Sequence, residues 1–220
     1  MDAVNDEECL RRVNLLEDDG TIAKIMKYKD DYGIIPSLVD KGILSYRIQH
    51  NDTKPNNVLL RKIDGKETPV VVIDRDTTMP LYSTTDLADG VRGLSNEEET
   101  NLSKVKFNIE KAKAYISGYA KATGHLTDEE IAVAPWHIAN IHTVQGIRFL
   151  TQAIIKGKYF GDGGEREIIR GKVQIELGEQ VNNSEMMNRL QDIVYSLYGK
   201  NIAEIKKLLN DLKIQGRSEI

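Results

Sequence analysis

The chain has 220 residues and a formal net charge of −4, with 40% hydrophobic and 29% charged side chains, an ordinary globular composition. That balance, with a pI near 5.7, argues against a protein that tracks phosphodiester backbones, so no nucleic-acid partner is expected. The longest apolar runs, such as Pro69 to Ile73, are far too short to span a bilayer, so no membrane partner is expected. The acidic start (Asp2, Asp6, Glu7, Glu8) reads as neither a secretory signal nor a transit peptide. A single cysteine, Cys9, precludes an internal disulfide and fits a cytoplasmic location. Beside Leu10, it reads as a buried apolar residue.

In chain order, residues 7 to 28 carry a helical apolar pattern interrupted near Gly20. A short helix is expected over Ser37 to Ile43, with Pro36 at its start. The period then changes. Val58-Leu59-Leu60 and Pro69-Val70-Val71-Val72-Ile73 flank Asp64-Gly65-Lys66 and predict a β-hairpin. Beyond Leu94 the chain reads as helical. One helix is expected over 108 to 122, stopped by Gly124, and a capping box at Thr127-Asp128-Glu129-Glu130 opens another, carried to about Lys156. Pro135 is expected to perturb or divide that helix. Two further helical stretches follow, near 165 to 180 and 184 to 213. The fold class is therefore mainly α with one small β-hairpin.

The segment that carries chemistry is His50-Asn51-Asp52-Thr53-Lys54-Pro55-Asn56-Asn57, followed by the hairpin and then Ile73-Asp74-Arg75-Asp76. An antiparallel hairpin brings together positions whose numbers sum to a constant set by the turn. A turn centred between Gly65 and Lys66 would put Asn57 opposite Asp74. A carboxamide oxygen and a carboxylate side by side are hard ligands suited to Mg²⁺, which keeps waters and phosphate oxygens in its shell. Asp52, on the entering loop, could accept a proton from an attacking hydroxyl.

His-x-Asp-x-x-x-x-Asn, a hairpin and Ile-Asp resemble the catalytic and metal-binding loops of the aminoglycoside and choline phosphotransferase superfamily, a protein-kinase-like fold. The stretches HNDTKPNNVLL, VVIDRDTTMP, DLADGVR and GIRFLTQAIIKGKYF are similar to the N-acetylhexosamine 1-kinase branch, up to about residue 180. The resemblance implies ATP as co-substrate, Mg²⁺, and a small-molecule sugar phosphorylated on its anomeric hydroxyl. It implies Asp52 as catalytic base, Asn57 and Asp74 as metal ligands, and Lys54 as a residue that neutralises phosphate or fixes the substrate. Arg148 and Tyr159 match positions that contact the sugar. His50 would hold the loop through backbone hydrogen bonds. Asp76 and Asp89 would support the metal loop, with Arg92 paired to one of them. The implied organisation is a carboxyl-terminal kinase lobe over 1–183 and a helical extension over 184–220.

Several residues depart from the family pattern. Arg75 replaces a leucine-like residue, Leu81 replaces a glycine after Met-Pro, and Leu87-Ala88 replaces Phe-Gly. The 49 residues before His50 read as helices, where the family places a nucleotide-binding lobe with a glycine-rich loop. The expectation is a catalytic half that is inactive alone, exposes an apolar patch near its hairpin, and meets a separate amino-terminal lobe or self-associates. The alternatives are a non-catalytic interaction module of the same fold, or a kinase for choline or an aminoglycoside.

The remaining features have plainer readings. His137 and His142 are splayed around one helix rather than stacked on a face, and with Trp136 they read as core. Gly161-Asp162-Gly163-Gly164 lacks the Gly-Lys-Ser/Thr of a phosphate cradle and reads as a loop. The apolar stripe from Leu190 to Leu212 is expected to pack on the body.

Overall fold

The computed structural model describes residues 7–96, 98–123, 126–156 and 164–212. Gly124, Tyr159 and the glycine loop at 161–163 lie outside them. The described chain is mainly helical with two small antiparallel sheets. In order, it forms α1 (Glu7–Asp18), α2 (Thr21–Lys27), α3 (Ile34–Asp40), β1 (Tyr46–Gln49), β2 (Val58–Ile63), β3 (Lys66–Val72) and β4 (Met79–Tyr82). There follow α4 (Thr85–Leu94), α5 (Ile109–Ala122), α6 (Asp128–Ile154), α7 (Glu165–Asn182), α8 (Ser184–Leu197) and α9 (Ile202–Asp211). Among the described residues no helix is long and apolar enough to cross a membrane.

These elements form two compact units. The first comprises the described residues up to Gly33, Asn96–Phe107 and Ala139–Asn183. Its core gathers Leu16, Leu150 and Ile175, with Ile22, Ile25, Ile154 and Ile168 packed around them. Gly20, at φ 78°, makes the break between α1 and α2 that the sequence pattern anticipates. The second half of α6 meets α7 at glycines: a Cβ on Gly146 would sit 2.9 Å from the Gly171 carbonyl oxygen. Cys9 is buried here, its thiol donating to the Ile154 carbonyl at 2.8 Å.

The second unit comprises Ile34–Ser95, Asn108–Ile138 and the described residues from Ser184. The capping box forms as expected: the Glu130 amide donates to Thr127 Oγ1 at 3.2 Å, and Glu130 Oε2 accepts from the Thr127 amide at 2.9 Å. Glu130 also takes Arg47 at 2.9 Å and the Ser45 hydroxyl at 3.1 Å, which ties the start of α6 to β1. Pro135 does not divide α6, which runs unbroken from Asp128 to Ile154. Its flanks, Ile131 to Ala134 with Trp136 and Ile138, are buried, and the Tyr195 hydroxyl donates to the Ala132 carbonyl, one residue beyond the Ile131 carbonyl that loses its amide partner to proline.

Other boundaries differ from the sequence expectation for local reasons. The helix α3 starts at Ile34, three residues early, because Pro36 fits anywhere in a first turn where no N–H partner exists. The stretch expected over 184 to 213 is two helices, parted by Gly199 at φ 66° after α8 closes with the Lys200 amide on the Tyr195 carbonyl. Its apolar stripe buries Leu190, Val194, Tyr195, Ile205 and Leu209.

Three elements, β1, β4 and α4, had no counterpart in the sequence reading. Strands β1 and β4 pair from Tyr46↔Tyr82 to Gln49↔Met79, and α4 follows directly. That small sheet brackets the hairpin loop, fixing both its entrance and its exit.

The hairpin itself forms, with a different register. Asp64 (φ 50°) and Gly65 (φ 80°) make a two-residue left-handed turn, so Ile63 pairs with Lys66. A bulge then leaves Val70 unpaired, because Leu59 faces Val71 while Leu60 faces Pro69. The ladder therefore closes with the Ile73 amide on the Asn57 carbonyl at 2.9 Å. Asn57 faces Ile73 rather than Asp74. The turn sits one residue earlier than expected, and the bulge restores only half of the resulting shift.

Candidate functional site

The loop from His50 to Asn57 leaves β1 and is held by the first two turns of α4. Asp86 accepts two successive backbone amides, His50 on Oδ2 and Asn51 on Oδ1, each at 2.8 Å. The Asp86 amide in turn donates to Gln49 Oε1 at 3.0 Å. One turn on, Asp89 accepts the Thr53 amide at 2.8 Å and pairs with Arg92 at 2.7 Å. The Thr53 hydroxyl donates to the Asp86 carbonyl at 3.0 Å. Charged acceptors on backbone amides are the strong class of hydrogen bond, so α4 serves as a rigid template for the loop.

Small residues bring that template close. A Cβ on Gly93 would lie 3.2 Å from the Lys54 Cα, and one on Gly90 would lie 2.0 Å from Tyr115 Cζ. Tyr115 donates to the Asp86 carbonyl at 3.1 Å from that position. Leu87 and Ala88, two of the family departures, are wholly buried on the other side of α4. They fill core and leave the loop-facing side unaltered.

The far side of the loop is fastened to the end of the hairpin. His50 Nε2 lies 3.0 Å from the Ile73 carbonyl oxygen. The Thr77 hydroxyl donates to the His50 carbonyl at 2.7 Å, and Asn51 Nδ2 donates to the Thr77 carbonyl at 2.9 Å. Asn51 and Asp74 both adopt left-handed backbone, at φ 65° and 64°. Non-glycine residues take that conformation at a cost of about 1 kcal/mol or more, and here the surrounding hydrogen bonds over-determine it.

Within this frame four side chains converge. Asn57, 4% exposed, directs Nδ2 to both the carbonyl oxygen and Oδ2 of Asp52, each at 2.8 Å. Its amide nitrogen is thereby committed, and its carbonyl oxygen is the atom left to present to a cation. The Lys54 ammonium lies 2.6 Å from Asp52 Oδ2 and 3.9 Å from Asp74 Oδ2. Burial pushes the Asp52 pKa up, but hydrogen bonds from Lys54 and Asn57, with the charges of Lys54 and Arg92, outweigh it and hold the carboxyl below its ordinary value. Asp52 is thus a carboxylate at neutral pH, fixed in direction, with one oxygen engaged and the other available to a hydroxyl.

The other expected site residues are distributed as follows. Asp76 is exposed in the one-turn 3₁₀ helix Arg75–Thr77, and among the described residues no hydrogen bond joins it to the cluster. Arg148 is exposed on α6 within the first unit, where its guanidinium donates to Gln145 Oε1 at 3.0 Å. The Asp52 cluster belongs to the second unit. Tyr159 lies outside the described residues. The residues that sequence reasoning missed are Gln49, Thr53, Thr77 and above all Asp86. A signal was present: Asp86 and Asp89 are three apart in the stretch that follows Met-Pro, so a helix there puts both carboxylates on one face.

Among the described residues, no three His, Cys, Asp or Glu side chains gather around one point. A divalent cation held here would take the Asn57 oxygen and the half-exposed Asp74 carboxylate, and complete its shell with water and phosphate oxygens. That donor set suits Mg²⁺, which keeps much of its hydration and demands few protein ligands. No model of a known protein family matches the chain.

Proposed function

We propose that this chain is the catalytic half of an ATP-dependent sugar kinase of the aminoglycoside-phosphotransferase-like type, acting on the anomeric hydroxyl of an N-acetylhexosamine. The observation that supports this reading is the convergence of Asp52, Lys54, Asn57 and Asp74 at the open end of a hairpin. Phosphoryl transfer asks little covalent chemistry of a protein. It needs a hydroxyl held in line, neutralisation of charge on the phosphate oxygens, and exclusion of competing water. Asp52 orients the sugar hydroxyl and receives its proton as the bond from that oxygen to the γ-phosphorus of ATP forms and the bond from the γ-phosphorus to the bridging oxygen of ADP breaks, ADP being the leaving group. Asn57 holds Asp52 in direction through its amide nitrogen, and Lys54 supplies positive charge beside both carboxylates. Mg²⁺, when held by Asn57 and Asp74, would supply charge neutralisation at the phosphates.

The described residues before His50 form three helices and one four-residue strand, so a cover for the nucleotide comes from elsewhere under this reading: an amino-terminal lobe on a separate or longer chain. The exposed apolar residues of the hairpin, Leu59, Leu60, Ile63 and Val70 to Ile73, favour such a cover. They equally favour a second reading, an interaction module of the same fold with no catalysis. Joining the chain to the nucleotide lobe of an N-acetylhexosamine kinase tests the choice. Formation of sugar 1-phosphate that Asp52→Asn abolishes supports the kinase reading. No product from the joined chain, or product indifferent to Asp52→Asn, overturns it.

A further inference from the structure

We propose that Lys54 is an internal counter-cation of this site, whose ammonium bridges the Asp52 and Asp74 carboxylates, competes with a divalent metal for Asp74 and withdraws as the metal binds. The inference rests on the metal-site reading above and adds a residue that regulates occupancy. One ammonium lies 2.6 Å from Asp52 and 3.9 Å from Asp74, and among the described residues no other cation touches either carboxylate. Arg92, the nearest further charge, is taken up by Asp89. Without Lys54, no cation among the described residues would touch either carboxylate.

The geometry also lets the ammonium leave. The Lys54 side chain is 42% exposed and that of Asp74 is 49% exposed, so withdrawal opens into water and uncovers no core. The Lys54 backbone stays fixed, because its Cα abuts Gly93 and Pro55 follows it. Only the side-chain torsions have to change. A divalent cation drawn to Asp74 repels the ammonium at short range, so metal arrival and lysine departure are a single exchange. Such an arrangement leaves the metal-free site with one net negative charge rather than two, and delivers a released positive charge when the metal arrives.

Titration with Mn²⁺ alone, reading free Mn²⁺ by electron paramagnetic resonance, tests this on the wild-type chain, Lys54→Met, Lys54→Arg and Asp74→Ala. Lys54→Met removes the competitor and keeps the aliphatic stem, so it should tighten Mn²⁺ binding about tenfold. Lys54→Arg keeps the charge and should stay near wild type, while Asp74→Ala should weaken binding with either residue at position 54. Equal or weaker binding by Lys54→Met, with the Asp74 dependence intact, would overturn the role of Lys54 and leave the metal site standing. Binding indifferent to Asp74→Ala, or no binding by any variant, would overturn both. Far-ultraviolet circular dichroism of each variant establishes that the fold is kept.

Discussion

Asn57 is joined to Asp52 twice, its side-chain amide donating to the Asp52 carbonyl oxygen and to Oδ2, both at 2.8 Å. The Asn57 carbonyl also receives the Ile73 amide, so the loop, the hairpin and the direction of the Asp52 carboxylate are set by one buried residue. Asn57→Ala deletes both side-chain bonds and leaves a buried carbonyl oxygen without its partner. The expected loss is about 2 kcal/mol of stability, read from the urea midpoint with an unchanged m-value. Asn57→Asp should be worse, since it places a second carboxylate against Asp52.

Asp86 has no role in the chemistry and a large one in placing it. Asp86→Asn presents one acceptor oxygen where two amides need one each, and turns an NH₂ group toward the other amide. We expect about 2 kcal/mol of destabilisation in urea unfolding. Asp76→Ala, at an exposed position outside this network, should stay within about 0.5 kcal/mol. Equal effects of the two substitutions would contradict the template role of α4.

Gly90 and Tyr115 are coupled by contact. Gly90→Ala puts a methyl group where the Tyr115 ring lies, and displacing that ring breaks its bond to the Asp86 carbonyl. An overpacked core position of this kind costs about 2 kcal/mol. Combined with Tyr115→Ala, the cost of Gly90→Ala should largely vanish, because the clash is gone. A double-mutant cycle that sums without interaction would refute the contact.

His137 gives the unfolding equilibrium a defined pH response. It is buried beside Thr84, Oγ1 to Nδ1 at 2.6 Å, and burial lowers its pKa from 6.5 to about 4, with Asp89 opposing in the other direction. The unfolded chain therefore binds a proton that the folded chain refuses between these values. Stability from this residue is full above pH 6.5 and is lost as pH falls toward 4, by roughly 3 kcal/mol in all. Urea midpoints from pH 7 to pH 4 should fall less steeply for His137→Gln than for the wild-type chain.

Much of the helical body was legible because its signals are local. Gly20, Asn108 and the Thr127–Glu130 capping box act over three or four residues, and each marks an element end in the structure. The hairpin was legible for the same reason, while its register was not: the two-residue turn falls on Asp64-Gly65 rather than on Gly65-Lys66, and the bulge at Val70, set by pairing across the ladder, offsets only half of that shift. Pro135 does not divide α6 because burial of its neighbours outweighs a local penalty. The β1–β4 pair escaped notice because each strand has only four residues and a partner thirty or more positions away. At the site, the loop residues Asp52, Lys54 and Asn57 stood out by spacing. Asp86, Gln49 and Thr77 did not, since what they hold is backbone.

On the proposed reading, Asn57 and Asp74 form a metal–phosphate site beside Asp52. Calorimetric titration with magnesium tripolyphosphate tests it most directly, because that ligand carries the phosphates and asks nothing of an adenine-gripping lobe. The wild-type chain should show weak, saturable binding that Asp74→Ala abolishes while its circular dichroism spectrum is unchanged. Absence of binding to the wild-type chain, or equal binding by Asp74→Ala, would contradict it.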